Sequence, residues 1–148
     1  MIEKNKRVEM TIRVSVYESV DQDEKFYGVM GQHFASLEHK MELGGWQIYN
    51  KPGSVWFLIF DGKILLGFCA LYKSNICVLD NFVILKASRG KGYSKVLYQS
   101  VLNYMCENQL KVRVLSKEDG LLLGYFKTSG FNETGKKGTY ISLLFDNY

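Results

Sequence analysis

A short loop rich in glycine and in cations is the part of this sequence best suited to chemistry. Its residues are Ser88, Arg89, Gly90, Lys91, Gly92, Tyr93, Ser94 and Lys95. Glycine at two of these positions permits positive φ angles and a close approach of the backbone to a ligand. Where such a loop opens a helix, successive N–H groups and the helix dipole attract an anion. A pyrophosphate would suit this loop.

Other phosphate-binding motifs and nucleic-acid binding fit less well. The Walker motif Gly-x-x-x-x-Gly-Lys-Ser/Thr is absent. A dinucleotide-binding loop would need a third small residue where Lys95 stands. The net charge of +4 is mild for a nucleic-acid binder. The loop cations therefore indicate one local anion site, and no nucleic-acid partner is expected.

The elements that position this loop are predicted from the spacing of apolar residues. We predict strands over 8–16, 55–60, 64–72, 76–85, 111–115 and 139–145, and helices over 21–43, 93–108 and 118–127. Gly28 and Gly31 would divide the first helical stretch. Asp61-Gly62 predicts a two-residue hairpin turn. Strand 76–85 is nearly all apolar, which is typical of a central strand buried on both faces.

The composition indicates one domain over residues 1–148. The 148 residues, 47% of them apolar, supply a core of ordinary size, and no apolar run is long enough to span a bilayer. We expect a cytoplasmic protein without membrane association. Cys69, Cys77 and Cys106 lie among apolar neighbours, which favours reduced, packed thiols. His33 and His39 are expected on different faces of a helix, so no metal pair is predicted.

Two segments resemble the GNAT superfamily of N-acetyltransferases. Residues 87–92 (Ala-Ser-Arg-Gly-Lys-Gly) are similar to the family's phosphate loop, Gln/Arg-x-x-Gly-x-Gly/Ala, with Ala87 departing at the first position. Residues 124–131 (Gly-Tyr-Phe-Lys-Thr-Ser-Gly-Phe) resemble the family's helix that ends in Gly-Phe, particularly in histone-type lysine acetyltransferases. The resemblance extends from Val55 to Phe145. It implies a mixed α/β sheet of about six or seven strands with about four helices.

The resemblance also implies acetyl-CoA as co-substrate, with no metal. Backbone groups of Phe82, Val83 and Ile84 would pair with the pantetheine arm, and one N–H would polarise the acetyl oxygen. Periodicity alone places Phe82 and Ile84 in the core. Asp119 would lie near the CoA arm, or would be an acid in the first turn of a helix. Phe126 occupies a CoA-contacting position where many relatives carry a tyrosine that protonates the leaving thiolate.

Asp80 is the candidate general base. An alkyl amine of pKa about 10.4 is only about one part in 2,500 neutral at pH 7, so a proton acceptor helps. Asp80 interrupts an apolar strand where several related small-amine acetyltransferases carry glutamate, and burial would raise its pKa toward a useful range. Alternatively, Asp80 and Asn81 form only a strand bulge. Tyr125, Tyr140 or water would protonate the thiolate, although a tyrosine placed like Tyr125 is more often simply a packed aromatic.

Two hypotheses follow for the whole protein. The first is an enzyme, monomeric or homodimeric, that transfers acetyl from acetyl-CoA to a primary amine by direct attack in a ternary complex. The acceptor would be a protein lysine or N-terminus, or a small-molecule amine. No cysteine has a recognisable nucleophile setting, which argues against a covalent intermediate. The second is a non-catalytic module that binds acyl-CoA, for which Ala87 and Phe126 argue.

Overall fold

The computed structural model describes residues 11–43, 45 and 48–146. Its strands form one sheet in the order β1-β2-β3-β4-β5-β7-β6. The strands are β1 (Ile12–Tyr17), β2 (Ser54–Asp61), β3 (Ile64–Tyr72), β4 (Cys77–Ile84), β5 (Val112–Lys117), β6 (Phe131–Lys137) and β7 (Tyr140–Phe145). The α-helices are α1 (Glu24–Met30), α2 (Leu37–Glu42), α3 (Tyr93–Glu107) and α4 (Leu123–Ser129). The predicted mixed α/β fold is confirmed.

Apolar layers cover both faces of the sheet. Along β2, Phe57 and Ile59 pack in the cluster that contains Leu97 of α3, whereas Trp56 packs in the cluster that contains Phe26 of α1. All of these side chains are almost fully buried. A strand covered on both sides has no polar face, which explains why β2 is apolar at nearly every position.

Strand pairing corrects the hairpin prediction and shows one strand that was not predicted. Asp61 pairs with Ile64, so the hairpin loop is Gly62-Lys63 rather than Asp61-Gly62. The predicted first strand begins at Ile12 in the described residues, and positions 8–10 lie outside them. β6 was not predicted. It is an edge strand whose side chains are exposed after Phe131, so it has no apolar alternation to detect.

The predicted helix over 21–43 is two short helices. Gly31 forms the C-terminal cap of α1, and the Ser36 side chain accepts a hydrogen bond that caps α2. The division expected at Gly31 is present, but Leu37 and Met41 were expected to continue the apolar face of the stretch before it. They are 70% and 74% exposed, because the break rotates α2 relative to the earlier periodicity.

The later helices follow the sequence more closely. α3 begins at Tyr93 as predicted. α4 ends at Gly130, whose φ of 119° is in the left-handed region, but it begins at Leu123 rather than at 118. Cys69 and Cys77 are buried as expected, whereas Cys106 is exposed on α3. β4 is central, yet its burial alternates with Cys77, Leu79 and Val83 inside, so it is not buried on both faces along its whole length.

The two histidines meet, contrary to the sequence expectation. His33 Nδ1 and His39 Nε2 are 3.0 Å apart, and both rings contact Phe68, with centroids at 5.3 and 5.8 Å. His33 follows α1 and His39 lies in α2, so the turn between the helices brings them together. The Nδ1 atom of His39 is buried without a hydrogen-bond partner in the described residues. Burial, and then the neighbouring His39, lower the pKa of His33.

The His33 pair predicts a loss of stability in mild acid. The pKa of His33 is lowered in the folded chain, so as the pH falls through about 6.5 the unfolded chain binds the proton first. The contribution of neutral His33 to the free energy of unfolding is therefore complete above that pH and declines below it. We expect the free energy of unfolding in urea to fall less between about pH 7.5 and about pH 5.5 in His33→Gln than in the wild type. If the free energy of unfolding fell equally with pH in the two proteins, His33 would not be the source of the acid sensitivity.

Candidate active site

The two parallel strands at the centre of the sheet separate while both are still extended. Their ladder ends at the Leu79–Val114 pair, yet β4 continues to Ile84 and β5 continues to Lys117. A cleft of about 710 Å³ lies between the separated ends. Because β3 pairs with the opposite edge of β4, the backbone groups of β4 that face β5 have no strand partner there. They can bind a ligand that carries amides.

Most of the residues predicted for the site line this cleft. They are Asp80, Phe82, Val83, Ile84, Ser88, Arg89, Gly90, Gly92, Tyr93, Ser94 and Phe126. The structure does not bring Lys91, Lys95, Asp119 or Tyr125 into it. The cleft therefore joins the glycine loop to the polar interruption of β4.

The glycine loop presents free backbone donors at one end of the cleft. Gly90 and Gly92 have φ angles of 78° and 82°, and Gly92 is the N-terminal cap of the 15-residue helix α3. In the described residues, no hydrogen bond uses the N–H of Gly90, Lys91 or Gly92. The first N–H groups of α3 also lack partners within the helix. These donors and the helix dipole together would suit an anion, which is what the sequence analysis predicts for this loop.

Arg89 contacts protein groups at the mouth of the cleft. Its Nη2 donates to a carboxylate oxygen of Glu42 in α2, and its Nε donates to the carbonyl oxygen of Ile84 at 2.8 Å. The guanidinium thus connects the end of β4 to α2. A phosphate bound on the loop would have to share this guanidinium with Glu42.

Asp80 lies at the point where β4 leaves β5. Asn81 has a φ of 54°, and the pairing of β3 with β4 shifts register around it, so the predicted bulge is present. The bulge and the cleft-facing carboxylate occur together. Burial raises the pKa of Asp80, and the charge and hydrogen bond of Lys51 partly offset this effect. A raised pKa makes this carboxylate a stronger proton acceptor than an ordinary aspartate.

Lys51 is a site residue that the sequence did not reveal. Its Nζ lies 3.2 Å from Oδ2 of Asp80, and both residues line the cleft. The ammonium also lies 5.5 Å from the ring centroid of Tyr49 and 5.3 Å from that of Tyr72. Lys51 lies in the segment before β2 with no motif around it, so only the tertiary fold shows its proximity to Asp80.

The remaining predicted residues lie elsewhere. Lys95 and Tyr125 line a separate groove between α3 and α4, where Nζ of Lys95 is 4.9 Å from the ring centroid of Tyr125. Phe126 is buried against Tyr98, at 5.1 Å between centroids, and borders the cleft. Asp119 is exposed and precedes α4, so it is neither in the cleft nor in the first turn of the helix. Tyr140, unlike Tyr125, lines the cleft.

The described part of the chain holds neither a group of metal-ligating side chains nor a membrane-spanning helix. Within it, no three His, Cys, Asp or Glu side chains come together in a group that could hold a metal ion. No helix there is both long and apolar enough to cross a bilayer.

The fold is similar to that of several solved structures. An acyl-CoA N-acyltransferase from Pseudomonas aeruginosa matches with a TM-score of 0.67 at 16% identity, over 90% of this chain and 99% of that one. ElaA from Escherichia coli matches with a TM-score of 0.70 at 12% identity, over 91% and 99% of the two chains. A GNAT family acetyltransferase from Elizabethkingia anophelis, with acetyl-CoA bound, matches with a TM-score of 0.59 at 12% identity, over 90% and 97%. At these identities the likeness establishes the fold alone.

Comparison of the sequence with family models identifies the family, which the fold alone does not. A search against curated proteins finds no significant match. The family model described as Acetyltransferase (GNAT) domain matches residues 18–140, which include α1, the separated strands and the glycine loop. The chain therefore belongs to the GNAT acetyltransferase family.

Proposed function

We propose that this protein is an N-acetyltransferase that passes an acetyl group from acetyl-CoA to a primary amine, by direct attack in a ternary complex. The observation that carries the proposal is the cleft between β4 and β5, with free backbone donors at one end and Asp80 at the other. A co-substrate that is anionic at one end, amide-bearing in the middle and reactive at the far end matches this order of groups. Acetyl-CoA has that constitution.

The backbone would hold most of the cofactor. The N–H groups of the Gly90 and Gly92 loop would bind the pyrophosphate, and the unpaired edge of β4 from Phe82 to Ile84 would bind the pantetheine amides. One β4 N–H would donate to the thioester oxygen as negative charge develops on it. Such a preorganised donor is commonly worth about 3 kcal/mol in the transition state.

Asp80 would accept a proton from the acceptor ammonium, and the neutral amine that results is the nucleophile. Its carboxylate already binds an alkyl ammonium, that of Lys51, which supports an amine as the group recognised there. Neutralising an amine of pKa about 10.4 at pH 7 costs roughly 4.6 kcal/mol, so a base whose pKa is raised by burial contributes directly to the rate. A protein lysine, an N-terminus and a small amine all satisfy this chemistry.

The leaving thiolate also needs a proton. Phe126 has no hydroxyl and packs in the core, so it would only contact the cofactor. Tyr125 faces the other groove, whereas Tyr140 lines the cleft. Tyr140 or a water molecule is therefore our proposed proton donor. The lack of a hydroxyl at Phe126 is also the feature that favours the alternative, a module that binds acyl-CoA without turnover.

A matched pair of glycine substitutions tests the cofactor site. Gly90 and Gly62 both have positive φ, and an added Cβ would contact nothing within 4 Å at either position. Both alanine substitutions should therefore cost similar backbone strain, about 1 kcal/mol. Of these two glycines, Gly90 lines the cleft and Gly62 does not. We expect Gly90→Ala to weaken acetyl-CoA binding roughly tenfold in isothermal titration, and Gly62→Ala to leave it within about twofold.

The control makes the result interpretable. If Gly62→Ala weakened binding as much as Gly90→Ala does, the effect would come from folding rather than from the loop. If the wild type bound neither acetyl-CoA nor CoA, the proposed function would be wrong.

Removal of the Asp80 carboxylate tests the chemical step. We expect Asp80→Asn to lower kcat for thiol release, with a panel of amines and a lysine-rich peptide as acceptors, by about 100-fold or more, since general-base contributions reach that size. Acetyl-CoA affinity should be retained. Asp146→Asn is the matched control, because Asp146 also pairs with a lysine, Lys111, at 3.6 Å but lies outside the cleft.

The outcomes separate the two candidate functions. A drop in kcat confined to Asp80→Asn supports the enzyme with Asp80 as base. An equal rate in Asp80→Asn and the wild type would remove Asp80 from the mechanism. Acetyl-CoA binding with no thiol release by the wild type, whatever amine is supplied, would support the binding module.

A further inference from the structure

We propose that Lys51 is itself an acetyl acceptor, so that the protein acetylates its own cleft in an intramolecular reaction. The inference rests on the proposed function, because it uses the same bound acetyl-CoA and the same base. It adds a covalent modification site within the cleft.

The position of the Lys51 ammonium carries the inference. Nζ is 3.2 Å from Oδ2 of Asp80, which is the distance at which a general base can take a proton from its substrate. The side chains of Lys51 and Asp80 are only 32% and 24% exposed, and both line the cleft. An external amine bound to Asp80 would have to displace this ammonium. Lys51 therefore occupies the place of the acceptor.

The neighbouring tyrosines favour an ordered Lys51 side chain. The rings of Tyr49 and Tyr72 lie 5.5 and 5.3 Å from Nζ, within the range of cation–π attraction. An amine held in place beside the base avoids the entropy cost that a separate acceptor would incur on binding. An intramolecular transfer at Lys51 needs no further recognition surface.

The other lysines lack this combination. Lys117 also lines the cleft, but no ion pair of its ammonium is found among the described residues. Lys73 resembles Lys51 in that its ammonium pairs with a carboxylate and lies near a tyrosine ring. It pairs with Glu18 at 3.4 Å, lies 5.5 Å from the ring centroid of Tyr104 and is 41% exposed, but it is outside the cleft. Lys73 is therefore a natural internal control.

The reaction balances without a further reactant. Asp80 takes one proton from the Lys51 ammonium, and the neutral nitrogen attacks the thioester carbon. A C–N bond forms, the C–S bond breaks, and the nitrogen loses a second proton as the amide forms. The thiolate of CoA takes up one of the two protons, and the other passes to solvent. The products are N-acetyl-Lys51 and free CoA.

Acetylation would change the cleft. The product amide has no charge, so the ion pair with Asp80 is lost while the carboxylate stays buried. An incoming ammonium then meets no internal competitor at Asp80. The unmodified and modified proteins would therefore differ in how readily they admit an external amine.

The test uses the purified full chain with acetyl-CoA that carries a deuterated acetyl group, so that newly added groups are distinguished from earlier ones. Intact mass and peptide mapping should show one labelled acetyl group, located on Lys51. The rate should saturate with acetyl-CoA and should not depend on protein concentration. We expect Lys51→Arg to remain unlabelled, Lys73→Arg to be labelled at Lys51 like the wild type, and Asp80→Asn to react about 100-fold more slowly.

Several results would overturn the inference. Labelling of Lys51 and Lys73 at equal rates, or an unchanged rate in Asp80→Asn, would indicate uncatalysed acylation. A rate proportional to protein concentration would indicate transfer between molecules. No label on Lys51, in a protein that binds acetyl-CoA and acetylates an added amine, would exclude Lys51 as acceptor and leave the proposed function intact. Absence of acetyl-CoA binding would instead exclude both the acetylation of Lys51 and the proposed function.

Discussion

β4 and β5 stop hydrogen-bonding at the Leu79–Val114 pair although both strands continue, and this leaves polar backbone without strand partners in the middle of a sheet. Such groups cost about 1–3 kcal/mol each when they are buried and unsatisfied. In this protein they border an open cleft, where water or a ligand can satisfy them. The bulge at Asn81 accompanies the separation, since its φ of 54° redirects β4. The cleft is thus a consequence of how two strands part.

The residue before the bulge sets the electrostatics of the cleft. Asp80 pairs regularly with Ala70 of β3 and lies in a partly buried position, where the charged form of a carboxyl is poorly solvated. Lys51 compensates for part of that cost with an ammonium at 3.2 Å. The charged Lys51 ammonium stabilises the Asp80 carboxylate. An acceptor amine would have to compete with Lys51 for that carboxylate. Under the proposed function, activation of an amine by Asp80 and occupation of the same site by Lys51 would be two results of one ion pair.

Local sequence determined what could be predicted. The glycine loop and the start of α3 at Tyr93 depend on neighbouring residues, so they were identified with the correct boundaries. The edge strand β6 was missed because an exposed strand needs no apolar period. The His33 pair and Lys51 were missed for another reason. Both depend on turns and chain crossings that bring distant segments together, and periodicity carries no information about them.

The division between backbone and side-chain chemistry explains how the chain departs from the family pattern and keeps its fold. Cofactor binding would rest on N–H groups of the loop and of β4, which do not depend on side-chain identity, so Ala87 can replace a polar residue without removing those donors. A proton donor does depend on a side chain. Phe126 is 4% exposed in the core, and restoring a hydroxyl there would bury a polar group against Tyr98. Protonation of the thiolate would therefore fall to another group, and Tyr140 lines the cleft.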